Sequence, residues 1–215
     1  MSQNFTADHV WALAVIADRM NGGYNKNPVG HWDKELDKWV EDQPANKAMV
    51  KQWLREDSVT PTEHDIKEGQ ECRAYFKSFV MKELSGKIND FERTALKVSA
   101  KDHFGGRDML EFAIISCLPQ AMRKDRERQD IQREIFGSTQ LAGNVGDRVH
   151  AEVTVVKCHY SQNYEKYRVT AQLGDSYIDF WFAQECQAGE KFTIKGKIKT
   201  QRADKTTQLN YVKKM

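Results

Sequence analysis

Cysteine is scarce in this sequence and scattered where it occurs. Cys72, Cys117, Cys158 and Cys186 stand alone, with no Cys-x-x-Cys and no Cys/His cluster. That spacing excludes a zinc knuckle or another short-range thiolate site, and it predicts reduced, buried thiols rather than a disulfide framework. Long apolar runs are missing too. None approaches the roughly 18 residues that a membrane span needs, and the stretch before Trp11 is polar. The expectation is a cytoplasmic protein, neither secreted nor in contact with a membrane.

Catalytic signatures are equally thin. The six histidines (His9, His31, His64, His103, His150 and His159) form no His-Glu-x-x-His and no His-x-His pair. The run His-Phe-Gly-Gly-Arg-Asp at 103–108 lacks the Gly-Lys-Ser/Thr ending of a phosphate loop and reads as a turn. Acidic residues are plentiful but dispersed, so a two-metal nuclease centre would draw on distant positions. No catalytic residue, metal or cofactor is expected.

A strong overall charge is also lacking, since the 215 residues sum to +2. The distribution says more than the total. Residues 1–140 carry 21 Lys/Arg against 23 Asp/Glu, whereas residues 141–215 carry 12 against 8. The positive excess therefore sits in the last third, as it would if that part faced a polyanion. The length suits two modest domains.

Residues 1–137 read as mainly helical. Thr6 is a plausible cap for a helix through HVWALAVIADRM, which stops at Asn21-Gly22-Gly23. Trp32, Leu36, Trp39 and Val40 follow at helical spacing, and ANKAMVKQWLRE forms another short helix. Trp11, Trp32, Trp39 and Trp53 are expected to serve core or interhelix contacts rather than base stacking. Thr60-Pro61-Thr62-Glu63 reads as a helix start capped by Thr60, with an interruption near Gly69 before ECRAYFKSFVMKEL. Asn89 or Asp90 caps a further segment, and Pro119 opens or kinks the last helix. In that helix, QAMRKDRERQDIQREIF, mixed charges predict a solvated face. Arg123, Lys124 and Arg126 are the candidates there for a secondary basic surface. Residues 138–145, small and polar, read as a linker.

Residues 146–215 change period. Strands are predicted over Arg148–Lys157, Glu165–Leu173, Ser176–Phe182, Lys191–Gln201 and Gln208–Lys213, with a tight turn at Gly174-Asp175. In the fourth, Phe192, Ile194 and Ile198 alternate with Lys191, Lys195, Lys197 and Lys199, which describes a half-buried strand with a positive outer face. The fold class is therefore α+β, a mostly helical domain followed by a small five-stranded barrel.

Five strands in about 70 residues, a glycine inside the fourth, and the closing pattern GEKFTIKGKIKTQ…TTQLNYVK resemble the oligonucleotide/oligosaccharide-binding (OB) fold over residues 144–214. The helix that OB barrels place between strands three and four would be very short here, which keeps another small barrel, such as an SH3-like one, open. The helical part carries no such resemblance. The OB resemblance implies ligand binding across strands two and three, framed by two loops. The matching positions are Arg168, Tyr177 and Trp181 on the face, with Lys166 beside them. His159, Tyr160, Asn163 and Tyr164 lie in one loop, and Arg202 and Lys205 in the other. Lys195, Lys197 and Lys199 border that surface. Aromatics would stack on exposed bases while cations follow phosphates. Trp181 is the foremost stacking candidate.

The function expected is non-catalytic binding of single-stranded nucleic acid, DNA before RNA, in replication, recombination or repair. The helical domain would supply contacts to a protein partner or to a second copy. Two alternatives remain. One is a protein-interaction adaptor whose barrel aromatics are interface anchors. The other is a nucleic-acid-processing enzyme with a non-contiguous site, although the Lys-x-Asp-Gly nucleophile motif of ligase-type nucleotidyltransferases is missing.

Overall fold

Helix α1, Ala7–Met20, is buried along most of its length, and neighbouring helices of the N-terminal region cover it. The computed structural model describes residues 4–105 and 109–215. Thr6 caps α1 as expected, its Oγ1 accepting from the His9 N–H at 3.4 Å. Val10, Trp11, Leu13, Ala14 and Ala17 are fully buried, so a helix that is apolar all round must be sheathed by neighbours. The sheath comes from α2 (Asn46–Glu56), α3 (Glu63–Lys77) and α6 (Met109–Ile115). The short strand β1 (Asn4–Thr6) pairs antiparallel with β4 (His103–Gly105). Residues 106–108, the rest of the expected turn at 103–108, lie outside the described residues.

Gly69 does not interrupt α3. The helix runs unbroken, and a Cβ at Gly69 would lie 2.8 Å from the Ala12 nitrogen and 2.9 Å from the Trp11 carbonyl carbon. The glycine is there so that α3 can approach the backbone of α1, which is a packing role rather than a break. The cap of α3 is Thr62, not Thr60, in a reciprocal box with Asp65. The run expected as one helix after Gly69 divides at Ser78–Phe79, and α4 (Val80–Leu84) follows. Asn89 caps α5 (Asp90–Ala100) with Glu92 as its partner.

The segment carrying Trp32 and Trp39 is not a helix. It is a hairpin of β2 (Val29–Asp33) and β3 (Lys38–Gln43), in which Trp32 sits opposite Trp39. Asp33 Oδ1 accepts from the N–H groups of Glu35 and Leu36, and Asp37 takes a positive φ of 45°, so local turn chemistry overrides the apparent helical spacing. Both tryptophans are more than half exposed, at 57% and 53%, so neither is core. Trp11 is fully buried and Trp53 packs against the core, as expected.

Pro119 opens α7 (Leu118–Gly137), whose first turn can spare an N–H. The chain divides within this helix into two compact units, Met1–Arg126 and Glu127–Met215. Among the described residues no helix is long and apolar enough to cross a membrane.

The second unit contains a closed barrel of β5 (Arg148–Ser161), β6 (Lys166–Leu173), β7 (Ser176–Phe182), β8 (Lys191–Gln201) and β9 (Thr207–Lys214). Its order around the wall is β5-β6-β7-β9-β8, with β8 returning to β5. Strand β8 thus lies beside the first strand of a β5-β6-β7 meander, which is a Greek key, and β9 closes the wall by pairing parallel to β7 and antiparallel to β8. A closed five-stranded Greek-key barrel is the architecture of an OB-like module. Val153, Val169, Ile178, Phe180, Ile194 and Leu209 fill the interior. No helix lies between β7 and β8; that link instead buries Cys186 against the barrel core. The segment before β5 is pinned to the barrel: Thr139 N–H donates to the Asp175 carbonyl, and Gln201 Nε2 donates to the carbonyls of Leu141 and Gly143.

Gly196 supports the closure. Across the β8–β9 ladder Lys195 faces Lys213 but Lys197 faces Asn210, so Tyr211 and Val212 together oppose one residue. This is a β-bulge. A Cβ at Gly196 would sit 3.1 Å from Val212 Cγ2 and 3.3 Å from the Asn210 oxygen, too tight for an unperturbed wall.

Candidate functional site

The end of the barrel where β5 turns into β6 gathers exposed aromatics. Glu165, at φ 49°, closes the turn and leaves Tyr164 well exposed. The Tyr164 ring centroid lies 4.7 Å from that of Trp181, which β7 holds opposite Arg168 of β6. Tyr160 and Tyr167 form a second pair at 5.1 Å. Tyr164, Lys166, Trp181 and Tyr211 border an open depression of about 570 Å³. Lys166 is exposed and, among the described residues, has no carboxylate partner. His159 and Asn163 are also exposed at this end.

The middle of the β6–β7 face differs from the sequence expectation. Tyr177, expected on an exposed contact face, is buried, and its hydroxyl donates to Glu134 Oε2 at 2.9 Å. Burial and then this hydrogen bond push its phenol up from the usual value. Asp179 is buried beside it and draws in two of the expected phosphate binders. Arg168 Nη2 and Arg202 Nη2 lie 3.1 and 3.2 Å from the same Asp179 Oδ2. Lys205 Nζ donates to the Ser138 carbonyl at 3.0 Å and stands 5.5 Å from the Phe136 ring centroid. Arg168, Arg202 and Lys205 therefore have structural partners already.

The lysine stripe has the opposite character. Lys195, Lys197 and Lys199 are exposed, and among the described residues none makes an ion pair. Arg148 of β5 lies directly opposite Lys197, and Lys213 of β9 directly opposite Lys195. Together with His150 and Tyr211, Arg148, Lys195, Lys197 and Lys213 line a second depression of about 590 Å³.

The secondary basic surface on α7 is only partly available. Arg123 pairs with the buried carboxylate of Asp18, and the Arg126 guanidinium lies 5.5 Å from the Tyr75 ring centroid; Lys124 is exposed. One group of metal-ligand atoms converges among the described residues, on His64, Asp65 and Glu68. Its acidic members already bind Arg19, at 2.6 Å from Asp65 and 3.4 Å from Glu68. Burial opposes ionisation of Asp65, but hydrogen bonds from Thr62 and Arg19 win and hold its carboxyl down to about 2.

Sequence reasoning missed Tyr211. Leu209 is buried, and strict alternation would turn Tyr211 inward as well. The bulge breaks the period: Tyr211 adopts φ 55° and is 80% exposed. Arg148 and Lys213 join the lysine cluster only through cross-strand register, which residue order alone does not give. No protein-family model, no curated protein and no solved structure matches this chain.

Proposed function

We propose that the barrel binds single-stranded nucleic acid, DNA in the first instance, as a non-catalytic step in replication, recombination or repair. The observation that carries this reading is the Tyr164–Trp181 pair, set in an open depression beside the exposed Lys166. Bases have apolar faces and stack on exposed aromatic rings, while an uncommitted cation follows the phosphates. A protein-binding pocket of this kind would gain less from lysines lacking carboxylate partners, which favours a polyanion over a neutral peptide. In the helical unit, the exposed Trp32–Trp39 pair supports a contact surface for a protein partner or a second copy. Fluorescence titration with a labelled oligothymidylate tests the reading. Binding should weaken as salt rises, and Trp181→Ala should weaken it whatever the base sequence. No binding at low salt, or full affinity in Trp181→Ala, would overturn it.

A further inference from the structure

Tyr211 borders both depressions, the aromatic one at Tyr164 and Trp181 and the cationic one on the outer face of β5 and β8. We infer that a bound strand does not leave the barrel over the loop carrying Arg202 and Lys205, but crosses β9 at Tyr211 and continues along the face formed by Arg148, Lys195, Lys197 and Lys213. This inference rests on the single-strand-binding function proposed for the barrel and assigns the course of the ligand beyond the aromatic pair.

Three independent observations support it. The first is backbone strain. A tyrosine in the left-handed region is disfavoured, and no burial repays it, since the side chain is 80% exposed. The bulge aims the ring outward at the boundary between the two depressions, the kind of re-aiming for which bulges are used. The second is electrostatic. Arg148 opposite Lys197 and Lys195 opposite Lys213 are like-charge cross-strand pairs, which destabilise a sheet unless an anion lies over them. The third concerns the other exit. Arg168 and Arg202 are held by Asp179, and Lys205 by the Ser138 carbonyl, so that route offers cations already engaged.

The ring of Tyr211 then stacks on a base at the crossing, and the cations beyond it follow the phosphates. A short ligand occupies the aromatic depression alone, whereas a longer one reaches the cationic face.

Binding of oligothymidylates of about 5 and about 15 nucleotides, lengths within the range of roughly 4–16 that one barrel accommodates, tests the path. The double variant Arg148→Gln/Lys197→Gln should lower the slope of log affinity against log salt for the long ligand by about 1.4, given about 0.7 for each of two single-strand phosphate contacts. It should leave the short ligand unchanged. Tyr211→Gly should weaken the long ligand about tenfold, the scale of one stacked base, while its thermal midpoint stays level or rises because glycine accepts that φ. This split separates a binding role from a structural one. If Trp181→Ala weakens both ligands while the other variants bind the long one as wild type does, the path is wrong and the aromatic site stands. If the wild type binds neither ligand at low salt, the path falls together with the function beneath it.

Discussion

Arg168 donates from both Nε and Nη2 to the single oxygen Oδ2 of Asp179, at 3.2 and 3.1 Å. The carboxylate is 4% exposed while the arginine is about half exposed, so the bond serves the buried acid more than the arginine. Arg202 adds a second guanidinium to the same oxygen. The three residues join β6, β7 and the loop before β9, and their geometry is that of a clasp.

Removing the acid should therefore cost more than removing one base. Asp179→Ala is expected to destabilise the barrel by about 1–3 kcal/mol, reduced from the fully buried case because both arginines can reach water. Arg168→Gln should cost less, since Arg202 keeps the acid paired. Hydrogen exchange of the barrel amides at a series of urea concentrations measures both. In oligonucleotide binding, Arg168→Gln should lose less affinity than Lys166→Gln, whose charge is uncommitted. The reverse order would return Arg168 to the contact surface.

Tyr164 and Trp181 touch and should act as one platform. Each alanine substitution is expected to weaken single-strand binding about tenfold. The double variant should fall short of the product, because neighbours in contact are not additive. A double-mutant cycle on dissociation constants reads this directly, and full additivity would mean that the two rings work apart.

The five strands were legible because most of their length alternates apolar with polar residues and Gly174 marks the turn between β6 and β7. Val153, Val169, Ile178 and Ile194 go inward as the period of two requires. The hairpin of Trp32 and Trp39 was not legible: spacings of four, three and one mimic a helical face, and the deciding feature is the turn built by Asp33 and Asp37. The candidate site was half legible. Tyr164, Trp181, Lys166 and the lysine stripe follow from residue type and position. Tyr177 and Arg168 do not, because parity gives the side of a strand but not whether Glu134 or Asp179 covers it. Tyr211 was hidden by a bulge, which shifts parity by one residue without a mark of its own.

The helical unit has its own acid-sensitive joint. The Asp65 carboxyl sits at about 2, held there against burial by Thr62 and Arg19. A depressed carboxyl contributes stability above its unfolded pKa of about 4 and loses it as pH falls through the folded value. Wild-type protein is thus expected to lose up to about 2 kcal/mol from this source between about pH 4 and about pH 2. Asp65→Asn should start less stable at neutral pH and show a shallower decline across that window. Equilibrium unfolding at a series of pH values checks it, and parallel curves for the two proteins would place the acid sensitivity elsewhere.

The proposed function has this barrel hold single-stranded nucleic acid by stacking and phosphate contacts. Its most direct test is a fluorescence titration of the full chain with a labelled oligothymidylate of about 15 nucleotides at two salt concentrations. Affinity should fall as salt rises, with a slope of about 0.7 for each phosphate engaged, and it should drop further in Trp181→Ala. An absence of binding at the lower salt, or binding indifferent to both salt and Trp181, would contradict the claim.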